Sequence, residues 1–465
     1  FPTMAALQQK RRILLMRQKN NSLVFVGLLA ALLFYAVLFS SLVSVTKEGI
    51  LDESSQPFTF TGKIIKQPPH YPWNVHFPTK EPWNFQSLWK IAQNPDSYSK
   101  MVLVQLYQVR NGKLYGWKTQ QMHIRQADLY TYNLRVQRYE QLFAQSLSLA
   151  HYLESNDPEV DPRVKELITD PFPFLFKWDD FSKCREQPSF NDGSPFFAFS
   201  TFAQPTEDEK CTPLAMPTYE QWRKYNHIEN STHWDVVFQQ QQEEYPWKDK
   251  LSKAVWRGGT TGRKYMYPDW RDLPRVKLVQ LSIDHPAILD ARFVSLNNRN
   301  EAEKEEIVQS GLLGSRIDMK DFQKFKAIID IDGNSWSSRF ADLLCMNSVV
   351  IKVEPRWMDY FYSELQPWVH YVPANMSNLV EVVTMATSDD PEIQKRMLEI
   401  VRNANNWCRS KMTATQLTKD MIWIMISYLD MLKKEDLYSK RFTKWKKSWR
   451  WKENEWVEIL YNSTT

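Results

Sequence analysis

Three stretches of this 465-residue chain bring together residue types and spacings that can do chemistry. The first is Ala254-Val255-Trp256-Arg257-Gly258-Gly259-Thr260-Thr261-Gly262-Arg263. An apolar run that reads as a buried strand ends at an arginine and opens into three glycines within five residues. The whole chain has 12 glycines, so this clustering carries information. Glycine permits positive φ and close backbone approach, and successive amides in such a turn can point at an anion. Arg257 and Arg263 add guanidinium forks that match phosphate oxygens. No Gly-Lys-Ser/Thr follows at P-loop spacing and no GxGxxG occurs, so neither nucleotide signature is present. The competing reading is an ordinary tight turn with solvated arginines.

The second stretch is Ile328-Ile329-Asp330-Ile331-Asp332-Gly333-Asn334-Ser335-Trp336-Ser337-Ser338-Arg339-Phe340. It reads as a strand, a polar turn and a helix opening with Ser335 as N-cap, followed by a strand over 349–353. Such a βαβ unit puts the loop at the carboxyl end of a strand, where open α/β sheets bind ligands. A helix N-terminus with Arg339 in its first turn suits a diphosphate. Asp330-x-Asp332 also matches a short manganese-binding pattern. A calcium loop is excluded, because Gly333 stands fourth and Ala341 twelfth where Gly is needed sixth and Glu twelfth. The bland alternative is turn chemistry alone.

The third is Phe174-Leu175-Phe176-Lys177-Trp178-Asp179-Asp180-Phe181, a short apolar strand that delivers two carboxylates beside aromatics. One of them suits a general base; a helix cap or surface acid pair is the alternative. The eight histidines include no HExxH, and no zinc site is expected.

The elements that must hold these stretches follow from periodicity. Residues 101–109 alternate as a strand, and Asn111-Gly112 before a second strand over 113–117 signals a two-residue hairpin. Residues 123–154 have helical spacing, with Leu129, Val136, Tyr139, Phe143 and Leu147 on the apolar side. Buried strands are expected at 173–176, 196–199, 254–256, 325–331 and 349–353, and helices at 339–346, 378–386, 392–405 and 413–432. Strands alternating with helices predict an α/β protein with mostly parallel sheets, in two halves around a cleft.

Charge divides the chain unevenly. Lys10, Arg11, Arg12, Arg17 and Lys19 supply the whole net charge of +5, leaving 54 basic against 54 acidic residues in the body. A balanced body gives no electrostatic case for nucleic acid. Leu23 to Val45 is uncharged over 23 residues, long enough as a helix to span a bilayer, and the cations before it place the N-terminus in the cytosol. An uncleaved signal anchor is expected, a cleaved signal peptide being the competitor. The prolines between Pro57 and Pro82 read as an extended stem. Asn230, Asn375 and Asn462 head glycosylation triplets. The four cysteines form no CxxC, and Cys184–Cys211 is a candidate disulfide in an oxidising lumen. The basic, aromatic stretch 440–452 reads as a solvated helix capping the fold, with polyanion or membrane contact as the alternative.

Four blocks in order, Trp256-Arg257-Gly-Gly-Thr-Thr-Gly262, Asp330-Ile-Asp-Gly-Asn-Ser-Trp-Ser-Ser-Arg339, Val349-Val-Ile-Lys352 and Pro367-Trp-Val-His-Tyr-Val-Pro373, resemble glycosyltransferase family 90 over about residues 165–410. That family includes fungal capsule-associated xylosyltransferases and Rumi-type protein O-glucosyltransferases. The resemblance implies a GT-B fold of two Rossmann-like domains facing a cleft, an inverting mechanism, and a UDP-sugar (UDP-xylose or UDP-glucose) as donor substrate. No metal or other cofactor is implied, and the acceptor is a glycan or a secretory protein. It makes Asp180 the catalytic base, and Arg257, Gly258, Gly259, Thr260, Thr261 and Arg263, with Asp332, Gly333, Asn334, Ser335, Ser338 and Arg339, the donor cradle. Gly259 departs from the pattern, standing where many relatives carry Ser. The expected layout is a cytosolic tail (1–22), a transmembrane anchor (23–45), a stem (46–95), an acceptor-side half (96–240), a UDP-sugar-binding half (241–410) and C-terminal helices (411–465). The expected location is the Golgi or ER membrane with a lumenal body. A noncatalytic, membrane-anchored glycan-binding protein that keeps the fold is the alternative.

Overall fold

The computed structural model describes residues 85–93, 104–117, 126–178, 195–203, 212–228, 232–262, 266–297, 299–435, 438–451 and 456–460. All lie in the compact unit formed by residues 68–465. The anchor segment 23–45, Asp179, Asp180, Arg263, Cys184 and Cys211 lie outside the described residues. Among the described residues no helix is long and apolar enough to cross a membrane.

The strands are β1 (Val104–Arg110), β2 (Lys113–Trp117), β3 (Phe172–Lys177), β4 (Pro195–Ala198), β5 (Thr201–Phe202), β6 (Thr212–Ala215), β7 (Leu251–Gly259), β8 (Leu289–Ser295), β9 (Phe325–Asp330), β10 (Val349–Val353), β11 (Trp357–Met358), β12 (Val372–Ala374) and β13 (Trp456–Ile459). They build two main sheets. The first has the order β13-β2-β1-β3-β4-β6 and the second β12-β10-β9-β7-β8. β5 and β11 form a separate antiparallel pair, with Phe202 and Trp357 in ring contact at 4.7 Å.

The second sheet is parallel throughout, and its central strands β9 and β10 are buried along their whole length. The first corrects the expectation of mostly parallel sheets. Only β3–β4 and β4–β6 are parallel, whereas β13–β2, β2–β1 and β1–β3 are antiparallel. The reason is local. Asn111 (φ 49°) and Gly112 (φ 65°) take the two positive-φ positions of a tight hairpin, and that turn forces an antiparallel pair.

Aromatic packing dominates the first core. Phe143 of helix Gln126–Asn156 meets Tyr107, Phe174, Phe176 and Phe197 of the sheet at 5.1–6.1 Å. Tyr428 of helix Ala414–Lys433 closes on Phe197 at 5.0 Å. The C-terminal region therefore returns to the first sheet, and β13 adds an edge strand there that periodicity does not predict. Helix Tyr438–Trp451 buries Trp445 against Trp89 of helix Gln86–Gln93 at 6.1 Å, while Lys440, Lys444, Lys446 and Lys447 face solvent. Helix Gln86–Gln93 also corrects the stem expectation, since 86–93 is packed helix.

In the second sheet the chain lays down β7, places β8 on one side and then crosses to β9, β10 and β12 on the other. The order reverses between β7 and β9. In doubly wound sheets the crevice outside the carboxyl ends of two such strands is the ligand site.

Candidate active site

The first two of the three stretches meet at that reversal. β7 ends at Gly259 and the loop after it holds Thr260, Thr261 and Gly262, while the loop after β9 holds Asp332 to Arg339. They interlock. The Gly262 amide donates to Asn334 Oδ1 at 3.1 Å. A Cβ on Gly333 would lie 2.8 Å from Thr261 Oγ1 and 2.9 Å from Arg275 Nη2, so glycine is what lets the loops close. The Thr260 hydroxyl donates to the Asn297 carbonyl at 2.9 Å and accepts from the Asn297 amide at 2.8 Å, tying the same loop to the end of β8. At Gly259 an added Cβ would meet Asn297 Oδ1 at 2.2 Å and Ser295 Oγ at 2.6 Å, so polar side chains at and just after the end of β8 fill the notch beside this glycine.

Beneath the loops lies a buried charge cluster. Asp330 ends β9 fully buried; its Oδ2 receives Lys352 Nζ at 2.6 Å and its Oδ1 receives the Ser337 hydroxyl. Lys352 Nζ also reaches Asp332 Oδ1 at 3.2 Å, and Asp332 Oδ2 accepts the Arg356 and Trp357 amides at 2.9 and 3.2 Å. Burial alone would lower Lys352, but Asp330, Tyr362 and Asp332 outweigh it and hold the ammonium well above its ordinary pKa. Burial raises the Asp332 carboxyl, with Asp330 adding to the rise and Lys352 opposing it. Asp330 and Asp332 are thus both ion-pair partners of Lys352.

The arginines divide. Arg339 Nη1 donates to the Arg257 carbonyl at 2.7 Å, and burial lowers its pKa. The Arg257 side chain is engaged elsewhere: Nε donates to Ser315 O at 3.0 Å, Nη1 to Trp256 O and Asp290 O at 3.0 and 2.7 Å, and Nη2 pairs with Asp290 Oδ1 at 2.8 Å. This corrects the expectation that Arg257 presents its fork to phosphate; it would have to exchange those bonds first. Ser335 is corrected too. The helix begins only at Phe340 with Arg339 at its cap position, and Ser335 is buried with its carbonyl accepting from Gly333 N at 3.1 Å. Residues 333–336 bend, the Ser337 hydroxyl is taken by Asp330, and the helix runs only five residues, from Phe340 to Leu344. Gly258 lies within β7 at a register shift, and Ser338 is exposed.

Sequence reasoning passed over Arg275. It lies in the first turn of helix Pro274–Asp284 and is buried between the two loops. A charged residue among Leu273, Val276 and Leu278 was the available signal. Burial, then the neighbouring Arg339, bring its pKa down to about 9.

The profile of glycosyl transferase family 90 matches residues 168–450, from just before β3 to the helix that packs on Trp89. The chain belongs to glycosyl transferase family 90. The match takes in both interlocked loops and the charge cluster under them. Among curated proteins of this kind, Protein O-glucosyltransferase 2 of Danio rerio is 31% identical over 39% of this chain and 34% of its own length. Protein O-glucosyltransferase 1 of Homo sapiens is 30% identical over 34% and 39%, and Protein O-glucosyltransferase 3 of Homo sapiens 33% over 32% and 27%. The chain thus spans about a third of the length of these relatives. The crystal structure of Anabaena Alr3699/HepE in complex with UDP-glucose superposes with a TM-score of 0.32 at 11% identity, over 53% of this chain and 68% of that one, too slight a likeness to bear on fold or ligand.

Proposed function

We propose that this family 90 member is an inverting glycosyltransferase that moves xylose or glucose from a UDP-sugar to a hydroxyl of a glycan or protein acceptor. The observation that carries this reading is the cluster at the strand-order reversal. Arg275 and Arg339 gather with Lys352, Asp330 and Asp332 beneath two interlocked glycine loops. Cations held away from water are costly alone and are relieved by an anion such as a diphosphate. The names of the relatives, protein O-glucosyltransferases, support sugar transfer.

In the proposed reaction the acceptor hydroxyl gives its proton to the Asp180 carboxylate, and its oxygen bonds to the anomeric carbon on the face opposite the diphosphate. The bond from that carbon to the UDP oxygen breaks, and the configuration inverts. Charge developing on the departing UDP is met by Arg339 and the loop amides, with no metal invoked. On this reading the two sheets are the halves of a GT-B enzyme, the second holding the donor. The body is proposed to be lumenal, behind the 23–45 anchor. The disulfide between Cys345 and Cys408 supports an oxidising compartment.

The test is a panel of UDP-sugars offered to the full chain, scoring UDP release with and without acceptor. Release should require a UDP-sugar and rise with acceptor; no turnover with any UDP-sugar would overturn the reading. Asp180→Asn should keep UDP binding and lose roughly 10²-fold or more in turnover, and Asp179→Asn much less.

A further inference from the structure

Helix Tyr438–Trp451 carries Lys440, Arg441, Lys444, Lys446, Lys447 and Arg450 and no acidic residue. One side of it belongs to the core. Trp445 meets Trp89 at 6.1 Å, and Phe442 packs on Trp445 at 5.5 Å. Arg441 is drawn to buried Glu435, which also accepts the Trp89 indole N–H at 2.7 Å. On the opposite side Lys440, Lys444 and Lys447 recur at i, i+4 and i+7, an exposed ridge about 10 Å long. Lys446 is exposed beside them. Among the described residues no carboxylate pairs with any of these four lysines. Like charges three and four residues apart destabilise a helix, so the sequence builds a repulsion here that nothing on the helix relieves.

We propose that this ridge is a docking surface for an acidic polysaccharide, a glycan with carboxylate or sulfate groups along its length, held outside the donor site. Charge complementarity defines the class, since a row of cations that repel one another is relieved by a chain of anions. All four exposed cations are lysines. A lysine is a flexible point charge that follows separated anions, whereas gripping a single phosphate favours the fork of an arginine. A membrane surface fits less well. A helix that lies in a membrane inserts its apolar face, and here that face is spent on Trp89. The choice of a glycan rests also on the lumenal reading of the body, because anionic lipid is concentrated in the cytoplasmic leaflet.

The experiment measures binding of polygalacturonate (carboxylated), heparin (sulfated) and dextran (neutral) to the full chain in detergent. Replacing Lys440, Lys444 and Lys447 together by Gln should leave melting unchanged and weaken polyanion binding about tenfold or more. The same three replaced by Arg should keep wild-type affinity. Replacing Lys165, Lys248 and Lys395, exposed lysines on other elements, by Gln should change it little. Salt should weaken the polyanions, and dextran should not bind. UDP affinity should be equal in all variants, so failure of the ridge and failure of the UDP-sugar reading are told apart. Wild type that binds neither polyanion, or binding that survives in the ridge Gln variant, overturns the inference. Equal losses in the two Gln variants make the effect one of net charge and overturn it too. Ridge-dependent binding to phosphatidylserine vesicles tighter than to either polyanion assigns the surface to a membrane instead.

Discussion

Lys352 and Asp330 are register partners on adjacent parallel strands, with Nζ and Oδ2 2.6 Å apart and side chains 1% and 0% exposed. Removing one member of such a pair strands the other charge in the interior. Lys352→Met should therefore lower the unfolding free energy by about 3–5 kcal/mol, and Asp330→Asn combined with Lys352→Met should recover a good part of it. Urea midpoints give both values. Because both carboxylates are held by this lysine, EDTA should leave the rate of transfer unchanged; loss of activity restored by manganese would reopen the metal reading.

Arg257 and Arg339 should separate in a mutant pair. Arg257→Ala breaks the hold on Ser315 and Asp290, so its effect should appear as about 1.5–3 kcal/mol of lost stability with UDP affinity little changed. Arg339→Ala should do the reverse, weakening UDP by about 1.5–3 kcal/mol, and Arg339→Lys should restore only part. Calorimetric titration of UDP beside urea unfolding distinguishes them. A large UDP loss in Arg257→Ala would mean that its fork swings to the ligand.

Glu140 gives a pH signature in the first core. Burial raises its carboxyl from 4.5 to about 7, partly offset by the Tyr107 hydroxyl, which donates to it at 2.9 Å. The folded state binds this proton more tightly than the unfolded state. Its contribution is full below about pH 4.5 and is lost as pH rises through about 7, amounting to about 3 kcal/mol. Glu140→Gln keeps the acceptor and removes the titration. The variant should gain on wild type in unfolding free energy across that window and plateau above it; parallel pH curves would refute the assignment.

The Cys345–Cys408 bridge joins residues 63 apart, linking the end of helix Phe340–Leu344 to helix Pro391–Lys411. Closing a loop of that length restricts the unfolded chain by roughly 4 kcal/mol. Replacing both cysteines by serine should lower stability by about that amount, read by urea unfolding. Non-reduced peptide mapping should recover the linked pair.

Much of the fold was legible in the sequence because the relevant signals are local. Asn111-Gly112 accepts positive φ at two positions, so the hairpin follows from two residues. Short apolar runs, such as Ala254-Val255-Trp256 in β7 and Val349-Val350-Ile351 in β10, mark strands whose centres are buried on both faces. Val136, Tyr139, Phe143 and Leu147 line the buried side of their helix as their spacing predicts. The ordered blocks around Arg257 and Arg339 pointed to the family over a range that the profile match largely reproduces.

The rest depended on partners distant in sequence. Residues 454–460 carry too short an alternation to announce β13, whose pairing with β2 spans more than 300 positions. Ser335 has the chemistry of a cap, yet Asp330 draws Ser337 and delays the helix, an outcome set by a buried carboxylate on another element. Arg257 and Arg275 are alike as letters. Strand alternation turns one toward Asp290 and Ser315, and helix placement sets the other between two loops. Backbone preference is a property of a few consecutive residues, whereas the partner of a buried charge is chosen by whichever distant groups the packed core brings within 3 Å.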